Sequence, residues 1–175
     1  MNPALTDRVL AKLGCGSVAA DRDGLGRLYA AWCRKVPFDN VRKLIHVRGG
    51  DPGPLPGDTA EDFFAGWLAH GAGGTCWAGN GALHALLTAL GFQAERAVAT
   101  MMVAPDLPPN HGSVVVTADG ERWVVDASIL HGEPLPMRPG EEAAIDHPAW
   151  GVRGYWADGQ FRIRWRNLLT GGAPL

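Results

Sequence analysis

Apolar positions in the first part of the chain recur at helical spacing. In "NPALTDRVLAKLG", Leu5, Val9, Leu10 and Leu13 share one face and a glycine follows. In "DGLGRLYAAWCRK", Leu25, Leu28, Tyr29 and Trp32 do the same, and the pattern stops before Pro37. "DTAEDFFAGWLAHG" opens on Asp58 and Thr59 as cap residues, with acidic side chains in the first turn that suit the positive end of a helix. Between these helices lies "GGDPGPLPGD", a Gly- and Pro-dense stretch that reads as a lobe boundary or a surface excursion. A last helix starts at Cys76, with Leu83, Leu86, Leu87 and Leu90 as its buried stripe. From Gly91 the period changes to two. "FQAERAVATMMV", "HGSVVVTA", "ERWVVDAS" and "QFRIRWRN" read as strands, separated by turn signals that include Asp119-Gly120 and Asp158-Gly159. Helices first and antiparallel strands afterwards predict an α+β arrangement. A helical lobe over 1–90 would end in the helix that begins at Cys76, and an antiparallel β-sheet or barrel lobe would fill 91–175.

Composition narrows the function classes. The 175 residues carry a formal net charge of −2, which argues against nucleic acid as the main partner. No apolar run reaches membrane-span length, and "MNPALTDRVLAKLG" is too polar for a secretory signal, so the expectation is a cytoplasmic protein without membrane contact. The 3 cysteines, Cys15, Cys33 and Cys76, form no Cys-x-x-Cys pair, which disfavours a disulfide scaffold and a zinc ribbon. His46, His70, His131 and His147 show no metal-ligand spacing, so no metal site is expected. Taken alone, each thiol reads as a small buried hydrophobe, and Cys33 on its helix reads as packing. His84, among leucines and alanines, reads as a histidine satisfied within the core.

Cys76 differs in its setting, "GAGGTCWAGNGALHALLTALGF". Gly73 and Gly74 allow a sharp turn, Thr75 stands at the cap position, and Cys76 enters the first helical turn. Unpaired N–H groups and the helix dipole there stabilise a thiolate, and the same N–H groups suit an oxyanion on a substrate carbonyl. Trp77 and Phe38 read either as walls of a substrate pocket or as core.

The hairpin "NHGSVVVTADGERWVVDAS" supplies a base. A two-residue turn at Asp119-Gly120 sets Ala118 opposite Glu121 and Ser113 opposite Asp126. His111 then lies on the same face as Ser113 and diagonal to Asp126, while Val114, Val116, Trp123 and Val125 share the other face as core. Asp126 follows an apolar run and needs a partner, for which an imidazole N–H is suited. A base and its orienter beside a thiol form the arrangement that activates a nucleophile. The plain alternative is a polar pair at a solvated hairpin end.

"VPFDN" (36–40), "GGTCWAGNG" (73–81), "LGF" (90–92), His111 before a strand and "WVVDAS" (123–128) occur in one order. Together they resemble the arylamine N-acetyltransferase family, within the wider papain/transglutaminase-like cysteine enzymes, over about residues 5–166. The resemblance implies Cys76 as nucleophile, His111 as its base and Asp126 as the orienting carboxylate. It also implies acyl transfer from a coenzyme A thioester to the cysteine and on to a small-molecule amine, with no bound cofactor. Related amide synthases act on carrier-bound acyl chains, which adds a phosphopantetheine thioester on an acyl carrier protein as a donor. The departures from the family pattern are Asp39 for a glutamate, Ala72 for an arginine, Ala78 for a glutamate, and "SIL" (128–130) after the aspartate. The loss at 72 and 78 together reads as an opposite-charge interaction replaced as a unit. Relatives carry a further C-terminal α/β lobe. The expectation for this sequence is a short form with an open cleft, rimmed by "ILHGEPLPMRPGEEAAIDHPAW" (129–150), and a homo-oligomer is left open.

"FRIRWR" places Arg162, Arg164 and Arg166 on one face of a strand. Such a stripe is a solvated sheet face or a contact for the phosphates of coenzyme A or a phosphopantetheine arm. The sequence thus points to a Cys76–His111–Asp126 acyltransferase, with Phe38, Trp77 and Thr75 about the substrate. The rivals are a thioester hydrolase, an amide synthase or cyclase on the same triad, and a non-catalytic binding module on a decayed enzyme fold.

Overall fold

The computed structural model describes residues 1–147 and 151–165. Five helices come first: α1 (Pro3–Leu13), α2 (Arg22–Lys35), α3 (Val41–Gly49), α4 (Ala60–His70) and α5 (Cys76–Ala89). Seven strands follow: β1 (Gln93–Ala99), β2 (His111–Ala118), β3 (Glu121–Val125), β4 (Leu135–Pro136), β5 (Ala143–Ile145), β6 (Val152–Ala157) and β7 (Gln160–Trp165). The strands form two antiparallel sheets, one in the order β1-β2-β3-β4 and the other β5-β6-β7. The α+β arrangement is the one expected.

The helices begin and end where their caps dictate. The side chains of Asn2, Asp21 and Thr59 accept first-turn N–H groups of α1, α2 and α4, and Gly14 and Gly71 close α1 and α4 in the left-handed region. The expected apolar stripes are buried, with Leu25, Leu28 and Trp32 fully so. Trp32, Phe63, Phe64 and Trp67 interlock through stacked and edge-on ring contacts. Helix α5 runs through the middle of this core, with Leu83, Leu86 and Leu87 buried.

The large sheet has two covered faces. Val114, Val116, Trp123 and Val125 pack on the helices, as alternation requires. Val115 and Val124 on the opposite face pack with Leu135, Ile145 and Val152, which brings the small sheet against them. The large sheet therefore lies between α5 and the small sheet.

Several expectations are corrected. The Gly- and Pro-dense stretch is a surface excursion and not a boundary, because buried Gly57 donates its N–H to Asp62 (2.6 Å) and packs against Ala78. The proposed rim at 129–150 is partly built into the sheets: it supplies the short strands β4 and β5, and Leu135 is completely buried. Residues 148–150 of that stretch lie outside the described residues. Met102 and Val103, read as strand, are exposed and lie beyond β1. Helix α3 and strands β4, β5 and β6 had not been assigned as elements. Among the described residues, no helix is long and apolar enough to cross a membrane.

Candidate active site

Three backbone devices hold the start of α5. Phe38 and Gly74 form an isolated parallel bridge, Asp39 N–H donates to the Gly74 carbonyl (3.2 Å), and Gly73 N–H donates to Oδ2 of Asp39 (2.8 Å). A side chain at Gly73 would collide with the Pro37 carbonyl, so the close approach of these two segments requires glycine. Asp39 also accepts Val41 N–H (3.0 Å). The carboxylate of "VPFDN" is thus satisfied by backbone N–H groups, and it needs no arginine at Ala72. The Ala78 methyl sits where Cβ atoms on Gly57 and Gly74 would fall, so the chain itself fills the space around that residue.

Thr75 occupies the cap position of α5, but its side chain makes no capping hydrogen bond, contrary to its expected role. Its extended backbone (φ −77°, ψ 179°) sets the helix start without the hydroxyl. First-turn N–H groups are therefore left for the residue beside them. Cys76 is half-buried, and its thiol is held below the ordinary value. The His111 ring contributes most through a hydrogen bond, burial opposes it, and the N–H groups of Gly112 and Trp77 and the charge of His111 add to the lowering.

The hairpin keeps the expected register along β3, which ends at Val125, so the expected pairing of Ser113 with Asp126 falls past its last pair. Val114 pairs with Val125 and Ala118 with Glu121. At the open end, Nε2 of His111 meets Oδ2 of Asp126 at 2.8 Å, which leaves Nδ1 for the sulfur. Burial pushes His111 down, but hydrogen bonds and charge from Asp126 and Cys76 outweigh it and raise the ring to about 9. Burial pushes Asp126 up, yet the hydrogen bond and charge of His111 dominate and bring it to about 2. The N–H groups of Ser128 (2.8 Å) and Ile129 (3.0 Å) occupy Oδ1 of Asp126. The buried Ser113 hydroxyl adds to this lowering, although its geometry falls short of a hydrogen bond.

Two residues that the sequence had not marked complete the arrangement. Asn80, one turn beyond Cys76 and buried, donates to the Gly112 carbonyl (2.6 Å) and accepts Ala127 N–H (2.9 Å). It ties α5 to the neighbour of His111 and the neighbour of Asp126 at once. The Tyr29 hydroxyl donates to the Asp126 carbonyl (2.8 Å) and accepts the Asp126 N–H (3.1 Å), which clamps that backbone from below. An asparagine at i+4 from the cysteine, in the first half of a mainly apolar helix, was the available signal for the first; the second had none.

Trp77, next to Cys76 in sequence, and Phe38, bridged to Gly74, are half-exposed at 52% and 49%. The Trp77 ring lies over Gly112, where any side chain would strike it. The arginine stripe does not join this group. Arg162 is bound to Asp158 (2.6 Å), Arg164 lies over the Tyr155 ring (5.5 Å to the centroid), and both belong to β7, beyond the large sheet from α5. Arg166 lies outside the described residues. His84 bonds the Ala94 carbonyl (3.2 Å), and Cys33 is pushed up to about 11, mainly by burial, as packing roles require. A cavity of about 470 Å³ opens elsewhere, between the end of α1 and α2, and is lined by none of Cys76, His111 and Asp126.

Comparison with known proteins accords with this geometry. The family model described as N-acetyltransferase matches residues 21–153. The chain is 29% identical over 166 residues to an arylamine N-acetyltransferase of Mycolicibacterium smegmatis, covering 85% of this chain and 58% of that protein. It is 26% identical over 150 residues to a proansamycin X synthase of Amycolatopsis mediterranei, covering 79% and 55%. The chain thus spans little more than half the length of these relatives. Arylamine N-acetyltransferase C from Bacillus anthracis superposes with a TM-score of 0.72 at 16% identity, over 95% of this chain and 66% of that one, which shows a shared fold. The order of motifs, the fold and the family match together make this chain a member of the arylamine N-acetyltransferase family.

Proposed function

We propose that the protein is a cysteine-dependent acyltransferase, moving an acyl group from a thioester through Cys76 to an amine. The observation that carries this reading is the contact chain in which Asp126 holds His111 and His111 lowers Cys76. With His111 raised to about 9 and the Cys76 thiol lowered, the pair is biased towards thiolate and imidazolium. The thiolate attacks the thioester carbonyl. The carbon–sulfur bond to the donor breaks, and the departing thiolate takes a proton from His111. The first-turn N–H groups of α5, left uncapped by Thr75, are available to the oxyanion in that step. An amine then attacks the acyl-cysteine while neutral His111 removes its proton, and the amide leaves as the Cys76 thiolate re-forms. Trp77 and Phe38 offer apolar walls to the acyl chain or the amine. The donor is acyl-CoA or a phosphopantetheine thioester.

Intact mass spectrometry tests this reading. Incubation with acetyl-CoA or a small acetyl thioester is expected to add one acetyl group at Cys76, and an arylamine is expected to discharge it. Rapid loss of the adduct to water would instead identify a hydrolase. No adduct with either donor would point to a binding module.

A further inference from the structure

Helix α3 is amphipathic, and it is turned the wrong way round for a core helix. Surface helices bury their apolar stripe and expose their charges. Here Arg42 and His46 face the body: Arg42 bonds the side chain of Asp62 (2.8 Å) and lies over Gly66, and His46 meets Asp51 (3.6 Å). No residue of the helix is buried. Val41 (51% exposed), Leu44 (43%), Ile45 (67%) and Val47 (61%) look outward. A helix of 9 residues is marginal without packing, so an outward apolar face implies something that covers it.

The charge of the helix says what kind of surface that is. Residues 41–50 contain Arg42, Lys43, His46 and Arg48 and no acidic residue. Arg42 and His46 are paired inward, while Lys43 and Arg48 have no ion-pair partner among the described residues. Lys43 is one turn from Val47, and Arg48 is one turn from Leu44, so both cations flank the apolar patch. A second copy of the chain in a two-fold contact would set these cations against their equals. An acidic surface with apolar residues at its centre is complementary. The patch also leads to the nucleophile, because exposed Phe38 precedes α3 and bridges Gly74, two residues before Cys76.

We propose that the outward face of α3 docks an acidic carrier protein that presents the acyl group to Cys76 as a thioester on a flexible prosthetic arm. This rests on the acyl-transfer reading and selects the donor within it. The bond made and broken is the one described above, and the carrier leaves with its thiol protonated.

The test compares an acetylated acidic acyl carrier protein with acetyl-CoA as donors, read as the rate of Cys76 acylation by intact mass. The carrier is expected to acylate the native protein at least about ten-fold more efficiently at low salt, with the advantage shrinking as salt screens the charges. Ile45→Glu and the double variant Lys43→Glu/Arg48→Glu are expected to abolish that advantage and leave the acetyl-CoA rate unchanged. Circular dichroism and the acetyl-CoA rate check that the variants fold. Equal efficiency of the two donors would overturn the proposal, as would an advantage that survives both variants. A native dimer that Ile45→Glu dissociates would overturn it in favour of a second copy, and cosedimentation with anionic vesicles in favour of a membrane surface. Calorimetric titration of the unloaded carrier separates the failures. Binding that Ile45→Glu abolishes, with no acylation from either donor, would sink the acyl-transfer reading and keep the docking face; acylation without such binding would do the reverse.

Discussion

The β2–β3 and β6–β7 hairpins are built on one plan. Each turns at an Asp-Gly pair with both residues at positive φ, 52° and 77° at 119–120 and 51° and 72° at 158–159, the conformation that two-residue hairpins favour. Each brings ionisable side chains to alternating positions. They differ in what lies over those positions. The open end of β2–β3 lies beneath α5 and α2, with His111 and Asp126 buried and the carboxylate satisfied by the ring and two backbone N–H groups. The charged face of β6–β7 stays exposed, so Arg162 holds a neighbouring aspartate in water and Arg164 lies over a tyrosine. Burial excludes solvent and raises the worth of each hydrogen bond and charge, which is how one hairpin holds a strongly coupled His–Asp pair and the other remains a surface.

The sharpest way to break that contrast is Asp126→Asn. The shape and backbone contacts are kept, but the ring loses the partner that fixes its proton and stabilises its charge. Acylation of Cys76 from a thioester is expected to fall about 10³- to 10⁴-fold, the scale seen when an orienting carboxylate is neutralised. Single-turnover mass spectrometry checks it, and a loss below ten-fold would show that Asp126 does not orient the base.

Asn80→Ala removes the clamp without touching the reacting groups. It orphans the Ala127 N–H and leaves the Gly112 carbonyl with one partner fewer, at a cost of roughly 1–3 kcal/mol for each buried group left unsatisfied. Acylation is expected to slow about ten-fold or more as His111 and Asp126 lose their registration with α5. Urea unfolding and single-turnover rates, measured on one preparation, check both. Lowered stability with an unchanged rate would make Asn80 purely structural.

The contrast also explains what could be read from the sequence. The contact of His111 with Asp126 was legible because Asp119-Gly120 fixes a register that brings the two to one end of the hairpin. The stripe of Arg162 and Arg164 was equally legible as a pattern, but alternation says nothing of what covers a face. Strand β6 was hidden by Gly154, which breaks the alternation yet is the residue that lets β6 lie against Leu135 and Phe161. Strand β4 is only 2 residues long and has no period to detect. Helix α3 escaped because it is only 9 residues long, and the spacing of Val41, Leu44 and Ile45 is too brief to stand out beside the Gly- and Pro-dense stretch. Tyr29 was seen as core, and its second task of holding the Asp126 backbone depends on a contact 97 residues away in sequence.

Two buried histidines near Asp126 sharpen the same lesson through pH. His131 packs on Tyr29 (ring centroids 4.9 Å) and bonds the Glu133 carbonyl through Nδ1, while its Nε2 has no partner among the described residues. Burial pushes it down to about 4. The unfolded chain, with histidines near 6.5, then binds the extra proton first, so stability is expected to fall as pH drops from about 6.5 towards 4. His111, raised to about 9, works in the opposite sense: its contribution is full below about 6.5 and is lost as pH rises through 9. Asp126, lowered to about 2, contributes above about 3.9 and loses that contribution as pH falls through 2. Urea midpoints at pH 7, 6 and 5 for the native protein and His131→Phe check the middle window. The variant is expected to flatten the slope between 6.5 and 4.5, and a native protein with no slope there would refute the assignment.

The smallest expected effect belongs to the exposed hairpin. Arg162→Ala removes a surface ion pair with Asp158, an interaction worth about 0–1 kcal/mol in water, and Arg164→Ala removes an exposed contact with the Tyr155 ring. Since β7 lies beyond the large sheet from Cys76, neither change is expected to move the concentration of acetyl-CoA needed for half-maximal acylation by more than about two-fold. The double variant is the stringent case, because a phosphate held by two arginines loses both forks at once. Steady-state acylation over a range of acetyl-CoA concentrations, at low salt where any phosphate contact is strongest, gives the answer. A ten-fold weakening confined to acetyl-CoA, and absent with a small thioester that carries no phosphate, would mean that the donor reaches across to this sheet. The exposed hairpin would then belong to the site, and cover alone would not be what separates the two.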